Sequence, residues 1–319
     1  DPRDSQRENI VLQRIGLHGE AVTVIDRLPD EWGRFLRYQY ARLDFSHVKT
    51  PGLYIVKYGT HKSHVFRIHH DVFKRHVWQP TLEYFLPAQM CHMRVNEKYR
   101  LWHGACHLDD ARMAPVSHNH FDGYVQGPST LTKYQPGEPV PGLNRGGWHD
   151  AGDWDLRIES QADTIHGLAL AWELFQLDYD NTTIDQENLV TEIRRPDGKP
   201  DVLQQIEHGV LSVVGGYRAL GRLYRGIIEP TLRQYVFLGD GAHITDNVVF
   251  DPRKMPESTA PPVGLPGAPD DRWVFTEENP RRELQTAAAL AAASRALRGY
   301  NDALSEECLQ VALQIWERT

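Results

Sequence analysis

With 319 residues, 40% of them hydrophobic and 24% charged, and a mean hydropathy of −0.52, the chain has the composition of a soluble globular protein with length for two unequal cores. Its formal net charge of −8 and pI near 6.1 speak against a nucleic-acid partner and suit a neutral substrate. No run is apolar enough to span a bilayer, and three cysteines are too few for a disulfide framework, which leaves metal binding or burial.

Residues 10–17, 21–28, 34–44, 52–57 and 64–68 carry alternation, β-branched residues or aromatics between Gly and Pro breaks, and predict strands of a small sandwich. From Asp71 the period changes, with Val72, Phe73, His76, Val77, Pro80, Leu82, Tyr84 and Phe85 at helical spacing, so a domain boundary is expected near His69. Residues 91–147 are irregular and rich in His, Gly and Pro, a long connection of the kind that carries function. Apolar stripes predict helices over 160–177, 201–223, 283–298 and 301–318, with Asp201 and Asn301 as caps and Cys308 in the core. Residues 239–282 show no period and read as a surface loop. Strands confined to the first part and helices to the rest argue against a parallel sheet of alternating units. The chain begins at Asp1 without a charged-then-apolar leader, so any export signal is expected to lie outside these residues.

The densest chemistry is in 146–155, Gly-Gly-Trp-His-Asp-Ala-Gly-Asp-Trp-Asp. Its glycines let the backbone turn sharply and approach a ligand closely, so Asp150 and Asp153 can be aimed at one water beside a sugar. An ordinary Asp/Gly turn is the competing reading. Trp148 and Trp154 read either as stacking walls or as buried supports. Two aspartates on one water would repel each other, so a neighbouring donor or backbone amides are expected to orient Asp150.

A second constellation is Cys91, the pair Cys106-His107, and His149 directly before Asp150. Zinc in a structural role takes four Cys or His ligands. A lone histidine is more often simply hydrogen-bonded, but cysteines beside these favour a metal. His92, His103, His118 and His120 lie in the same region as substitutes for one ligand.

The stretch 146–155 resembles the catalytic-base loop of glycoside hydrolase family 9, the inverting endoglucanases, and the resemblance continues downstream. Residues 161–173 resemble the helix after that loop, 197–203 (Asp-Gly-Lys-Pro-Asp-Val-Leu) the family's Gly-x-Pro-Asp turn into a helix, and 235–240 and the Ala-rich 286–294 also fit, so that most of 71–319 is covered. The resemblance implies Asp153 as general base, assisted by Asp150. Cys91, Cys106, His107 and His149 would be the ligands of the structural zinc that a subset of the family carries. Calcium is a further cofactor of the family, with Asp240 and Asp246 as candidates by residue type alone. The implied architecture is multidomain: an immunoglobulin-like β-sandwich over 1–68, then an all-α (α/α)6 barrel over 69–319, represented by about its first half. The implied substrate is β-1,4-glucan or a related plant polysaccharide, with xyloglucan, mixed-linkage glucan or a glucosaminide as alternatives on one scaffold. A non-catalytic carbohydrate-binding or zinc-stabilised scaffold is the alternative from another class. The implied location is secreted or periplasmic. The family's general-acid glutamate lies near the far end of the barrel, so it is expected beyond Thr319, and these residues alone are not expected to hydrolyse glycosides. Either the remainder of the barrel or a partner is expected to cover the helices near Leu290 and Leu313. Glu97 precedes the base loop and is not taken as the acid.

Overall fold

The computed structural model describes residues 8–74, 76–116, 120, 123–127, 131–150, 154–229, 245 and 271–319. They fall into two compact units, Asp1–Pro80 and Thr81–Thr319.

The first unit is built from strands β1 (Ile10–Ile15), β2 (Ala21–Arg27), β3 (Asp30–Phe35), β4 (Tyr38–Arg42), β5 (Gly52–Tyr58), β6 (His61–Lys62) and β7 (Phe66–Ile68). β1 lies between β2 and β5, and β6 and β7 both pair with β5. One face of this sheet buries Leu12, Ile25 and Tyr54 with Val48, ringed by Leu43, Phe45, Val56, Phe66 and Ile68. The strand expected over 34–44 is instead two. Leu36 takes φ 53°, a left-handed turn that folds β4 back on β3 with Phe35 opposite Tyr38. The helix expected from Asp71 begins only at Gln79. His76 takes φ 60°, and the Gln79 side chain accepts from Val77 N at 3.1 Å and donates to Lys74 O at 2.9 Å, holding 74–79 in turns.

The second unit contains α1 (Gln79–Gln89), whose first two residues lie in the first unit, then β8 (Arg94–Glu97), β9 (Arg100–His103), β10 (Arg112–Met113) and β11 (Leu156–Arg157). There follow α2 (Ile158–Phe175), β12 (Thr182–Asp185), β13 (Val190–Ile193), α3 (Asp201–Leu220), β14 (Gly226–Ile228), β15 (Trp273–Phe275), α4 (Pro280–Leu297) and α5 (Asp302–Arg318). Strands are therefore not confined to the N-terminal part, contrary to expectation. Two small sheets, ordered β12-β13-β8-β9 and β10-β15-β14-β11, accompany the helices. Their strands are too short to display a period of two, and each sheet joins segments distant in sequence, β8 with β13 and β10 with β15. Of the expected loop 239–282, only Thr245 and 271–282 are described, and they include β15.

The four long helices match their predicted positions to within a turn. α2 packs on α3 and α4, and α4 on α5. α3 is buried almost all round, as a helix in the middle of a layer must be. Asn301 caps α5 as expected, accepting from Leu304 N at 3.1 Å, and Asn279 caps α4 in the same way from Arg282 N at 3.3 Å. Asp201 is not the cap of α3 but its first residue, and its Oδ1 accepts from Asn181 N and Thr182 N at 3.0 Å each, tying β12 to the helix. Cys308 is buried in α5, and Leu290 is fully buried in α4, while Leu313 and Trp316 on α5 are exposed. Leu290 therefore needs no further cover. No helix among the described residues is long and apolar enough to cross a membrane.

Candidate active site and metal centre

The chain enters the 146–155 loop through two left-handed glycines, Gly146 at φ +70° and Gly147 at φ +83°. A Cβ at Gly146 would lie 2.2 Å from His208 O, so the close approach these glycines permit is to the backbone of α3 and not to a ligand. Gly147 N donates to His208 O at 3.0 Å, and His208 Nε2 donates to Gly147 O at 2.8 Å. The next residues run antiparallel to the end of α1. Cys91 N donates to Gly147 O at 3.0 Å, His149 N to Gln89 O at 2.7 Å, and Met90 bridges Trp148. That short bridge brings Cys91 and His149 together.

Trp148 is 3% exposed, which assigns it to the buried supports and removes it from the stacking walls. Gln161 on α2 clamps its backbone from both sides, Oε1 accepting from Trp148 N at 2.9 Å and Nε2 donating to Trp148 O at 2.7 Å. Its indole lies over Gly209, where a Cβ would come within 2.3 Å of the ring.

Asp150 N donates to Asp155 O at 3.0 Å, closing the loop across 151–153. Asp153 itself lies outside the described residues. The Asp150 carboxylate forms an ion pair with Arg157, Nε to Oδ2 at 3.0 Å, and accepts from Ser160 Oγ at 3.3 Å, a neighbouring donor of the kind its orientation requires. Arg157 lies over the Tyr124 ring, 5.6 Å from its centroid, with Arg225 at 4.0 Å from the same ring. Asp155 is buried, and its Oδ1 accepts from Glu229 N at 3.1 Å. Trp154 is half-buried in the left-handed region at φ 63°. Its ring stands edge-on to His149, with centroids 4.9 Å apart, and its Nε1 has no hydrogen-bond partner among the described residues.

Cys91, Cys106, His107 and His149 converge as expected, all four buried and each offering a ligand atom within 4.8 Å of the others. Cys91 Sγ is 3.6 Å from His107 Nδ1 and 3.9 Å from Cys106 Sγ, and Cys106 Sγ is 3.8 Å from His149 Nε2. A tetrahedral ion with metal–sulfur bonds near 2.3 Å and metal–nitrogen bonds near 2.0–2.1 Å would space its ligand atoms about 3.4–3.8 Å apart, so the group fits one. Burial pushes the Cys91 thiol up. Burial opposes ionisation of Cys106 too, but hydrogen bonds from Cys91 and the His92 amide, with the Arg272 cation, draw it below the usual thiol value. Burial, then Arg272, holds His107 well below the usual imidazole range and so neutral, the form a metal ligand needs.

The substitute histidines are otherwise engaged. His92 Nδ1 is 2.8 Å from Gly146 O, His103 Nδ1 2.8 Å from Gly104 O, and His120 Nε2 2.6 Å from Glu229 O. His118 lies outside the described residues, as do Asp240 and Asp246, the carboxylates weighed for calcium. Glu97 is paired with Arg194 Nε at 2.6 Å.

Sequence reasoning missed the groups behind this centre. Arg272, just before β15, is fully buried and bonded to Asp110, Trp154 O and Cys91. Glu229, just after β14, is also buried, its Oε1 3.9 Å from His107 Nε2 on the far side of that ring from Cys91. A signal existed for both: each charged residue adjoins an apolar triplet, Gly226–Ile228 or Trp273–Phe275, where a charge is either functional or paired.

The family model Glycosyl hydrolase family 9 matches residues 77–319, well over half of the chain, and the chain belongs to that family. No curated protein matches it. Among solved structures it is similar to a Zn-binding triple mutant of the family 9 endoglucanase J30, at 21% identity and TM-score 0.63 over 99% of this chain and 50% of that one. It is similar to Bacteroides ovatus GH9, at 20% identity and TM-score 0.61 over 98% and 49%. A single-mutant thermostable endoglucanase from Alicyclobacillus acidocaldarius matches at 20% identity and TM-score 0.59 over 97% and 47%. The shared fold is that of family 9 endoglucanases, a sheet-rich N-terminal unit followed by a largely helical one. The chain spans about half the length of these structures.

Proposed function

We propose that the chain carries the water-activating half of the active site of an inverting glycoside hydrolase that cleaves β-1,4-linked glucan. The observation that carries this reading is the Asp150 carboxylate, gripped by Arg157 and Ser160 in a loop whose entrance is anchored to α3 and to a buried Cys/His group. Asp153, three residues on, takes the proton of the attacking water. Asp150 holds that water in line, its own charge compensated by Arg157. Trp154, half-buried and with an indole N–H that has no partner among the described residues, forms part of the wall beside the sugar. The leaving oxygen takes its proton from a glutamate outside these residues, roughly 6.5–9.5 Å from the base in an inverting pair. The remaining barrel helices of the (α/α)6 architecture complete the cleft, and the first unit is an immunoglobulin-like module. A polymeric glucan substrate places the enzyme outside the cytoplasm, secreted or periplasmic.

Zinc is the metal that suits Cys91, Cys106, His107 and His149, two thiolates and two imidazoles in a closed, buried set. When bound it supplies rigidity, with no position open for substrate. The residues do the rest: His149 fixes the backbone immediately before Asp150.

The test is made on protein carrying the complete catalytic barrel. Asp153→Ala should lower kcat on soluble β-glucan by about 10²–10⁴-fold with KM changed by less than a few-fold, because water activation acts in the transition state. NMR should show the α-anomer as first product from wild type. Near-normal turnover of Asp153→Ala beside an inactive Asp150→Ala would reverse the two roles, and a β-anomer would end the inverting assignment.

A further inference from the structure

We propose that Arg272 is a positioning residue for the base loop, a single guanidinium that locks the metal-ligand group to both ends of residues 146–155. The proposal rests on the active-site reading above and goes beyond it. It begins with where Arg272 stands. Its backbone is held at the start of β15 by Arg112 N donating to Arg272 O at 3.0 Å, and its own amide donates to Asp110 Oδ2 at 3.3 Å. A side chain sprung from a sheet edge paired on both sides of β15 is a stiff support, as a positioning group requires.

The guanidinium is fully buried, and all three of its nitrogens are committed. Nε donates to Asp110 Oδ2 at 2.6 Å and Nη2 reaches Asp110 Oδ1 at 3.4 Å, a fork on one carboxylate. Nη1 donates to Trp154 O at 2.8 Å. Nη2 also points to Cys91 Sγ at 3.6 Å and to His92 Nε2 at 3.4 Å. His92 completes a relay: with Nε2 accepting from Arg272, its Nδ1–H donates to Gly146 O at 2.8 Å. One planar cation therefore touches a metal ligand, the exit of the loop at Trp154 and, through one imidazole, its entrance at Gly146.

Charge alone does not call for this arrangement. Arg272 and Asp110 neutralise each other, and two thiolates neutralise a divalent ion, so each set is balanced without the other. A buried ion pair is also weak evidence for stability, since apolar residues of similar volume often replace one without loss. What the pair supplies is direction. Trp154 sits at φ 63°, a left-handed conformation that a non-glycine residue keeps only when its surroundings over-determine it. The Nη1 bond to its carbonyl is one such restraint, and the Asp150 N to Asp155 O bond is another. Trp154 directly follows Asp153 in sequence, so the proposed base lies one residue before the restrained position. Lysine carries its three donors on a single nitrogen, where this site uses a planar fork and two further directions.

The experiment compares wild type with Arg272→Lys. Metal affinity, measured by competition with a chromogenic chelator using zinc alone, should fall about 10–100-fold, the usual effect of losing an outer-shell partner. In the cobalt(II)-substituted protein the thiolate-to-cobalt charge-transfer band should shift, because a donor to Cys91 Sγ has been lost. In protein with the complete barrel, kcat should drop by about 10-fold or more with KM within about twofold. The double variant Arg272→Met with Asp110→Leu removes the charges while keeping the volume filled. It should fold and show the same losses of affinity, band position and kcat. Wild-type affinity, an unmoved cobalt band and unchanged kcat in either folded variant would overturn the proposal, leaving a purely structural ion pair. The affinity and cobalt readouts do not depend on hydrolysis. If wild type with the complete barrel cleaves no β-glucan while these readouts shift, the functional reading fails and the link to the metal group stands.

Discussion

His208 shows how much a single buried side chain contributes here. It is fully buried on α3, donates Nε2–H to Gly147 O at 2.8 Å and accepts at Nδ1 from Gln186 Nε2 at 3.3 Å, so its neutral tautomer is used at both nitrogens. Burial pushes its pKa down to about 3, against about 6.5 for an unfolded histidine. Between those values the unfolded chain binds a proton that the folded chain refuses, so stability falls as pH drops below about 6.5 and the loss continues towards 3. The slope reaches at most about 1.4 kcal/mol per pH unit. His208→Gln retains a donor and has no titration. Urea unfolding at pH 7 and pH 5 should therefore show a smaller stability difference for the variant than for wild type, and equal differences would remove His208 from the acid sensitivity of this unit.

At the scale of elements, the loop is placed by a helix that is nearly all core. Gly209 on α3 leaves room for Trp148, whose ring also meets His208 edge-on at 5.8 Å. In Gly209→Ala the new Cβ would stand 2.3 Å from one indole carbon and 2.4 Å from another, and the indole cannot withdraw because Gln161 holds its backbone from both sides. Overpacking of this kind costs about 1–3 kcal/mol, more than the roughly 0.5–1 kcal/mol that alanine gains over glycine within a helix. Denaturant midpoints should show net destabilisation, together with weaker metal binding, since Trp148 immediately precedes His149. Gly167→Ala on α2, where a Cβ meets nothing within 4 Å, is the control and should stabilise. A stabilised Gly209→Ala would mean that α3 and the loop have slack between them.

For the whole molecule, the metal group belongs to one of two units with separate cores. The four candidate ligands come from the turn after α1, the residues after β9 and the 146–155 loop, so an ion there would add a tie between segments that already meet through the Met90–Trp148 bridge and the His92–Gly146 contact. An ion present at a thousandfold above its Kd stabilises by about 4 kcal/mol, which for a domain of this size shifts Tm by roughly 10 °C. Calorimetry with and without 1,10-phenanthroline should show the larger transition falling by that order while the transition of the sheet-rich unit stays in place. If neither transition moves on chelation of metal-replete protein, the cluster is a buried polar core and not a metal site.

The sequence by itself determined the parts that rest on local pattern. The long helices follow from the 3.6-residue period, and β1, β2 and β5 from alternation between Gly and Pro breaks. The convergence of Cys91, Cys106, His107 and His149 and the candidate loop 146–155 were legible because Cys, His and Asp crowded between glycines have few other uses. Tertiary structure alone decided what those residues face. Gly146 and Gly147 serve packing against α3, Trp148 is a support and not a platform, and Asp201 binds a neighbouring strand instead of capping its helix. The short strands β8 to β15 escaped notice because they contain too few residues for a period to show, and their two sheets are joined through pairs far apart in the chain, β8 with β13 and β10 with β15. Arg272 and Glu229 escaped for the same reason. Nothing within a few residues of either reports that Cys91, 181 positions before Arg272, or His107 will be its neighbour, and only the folded chain brings those charges to the metal group.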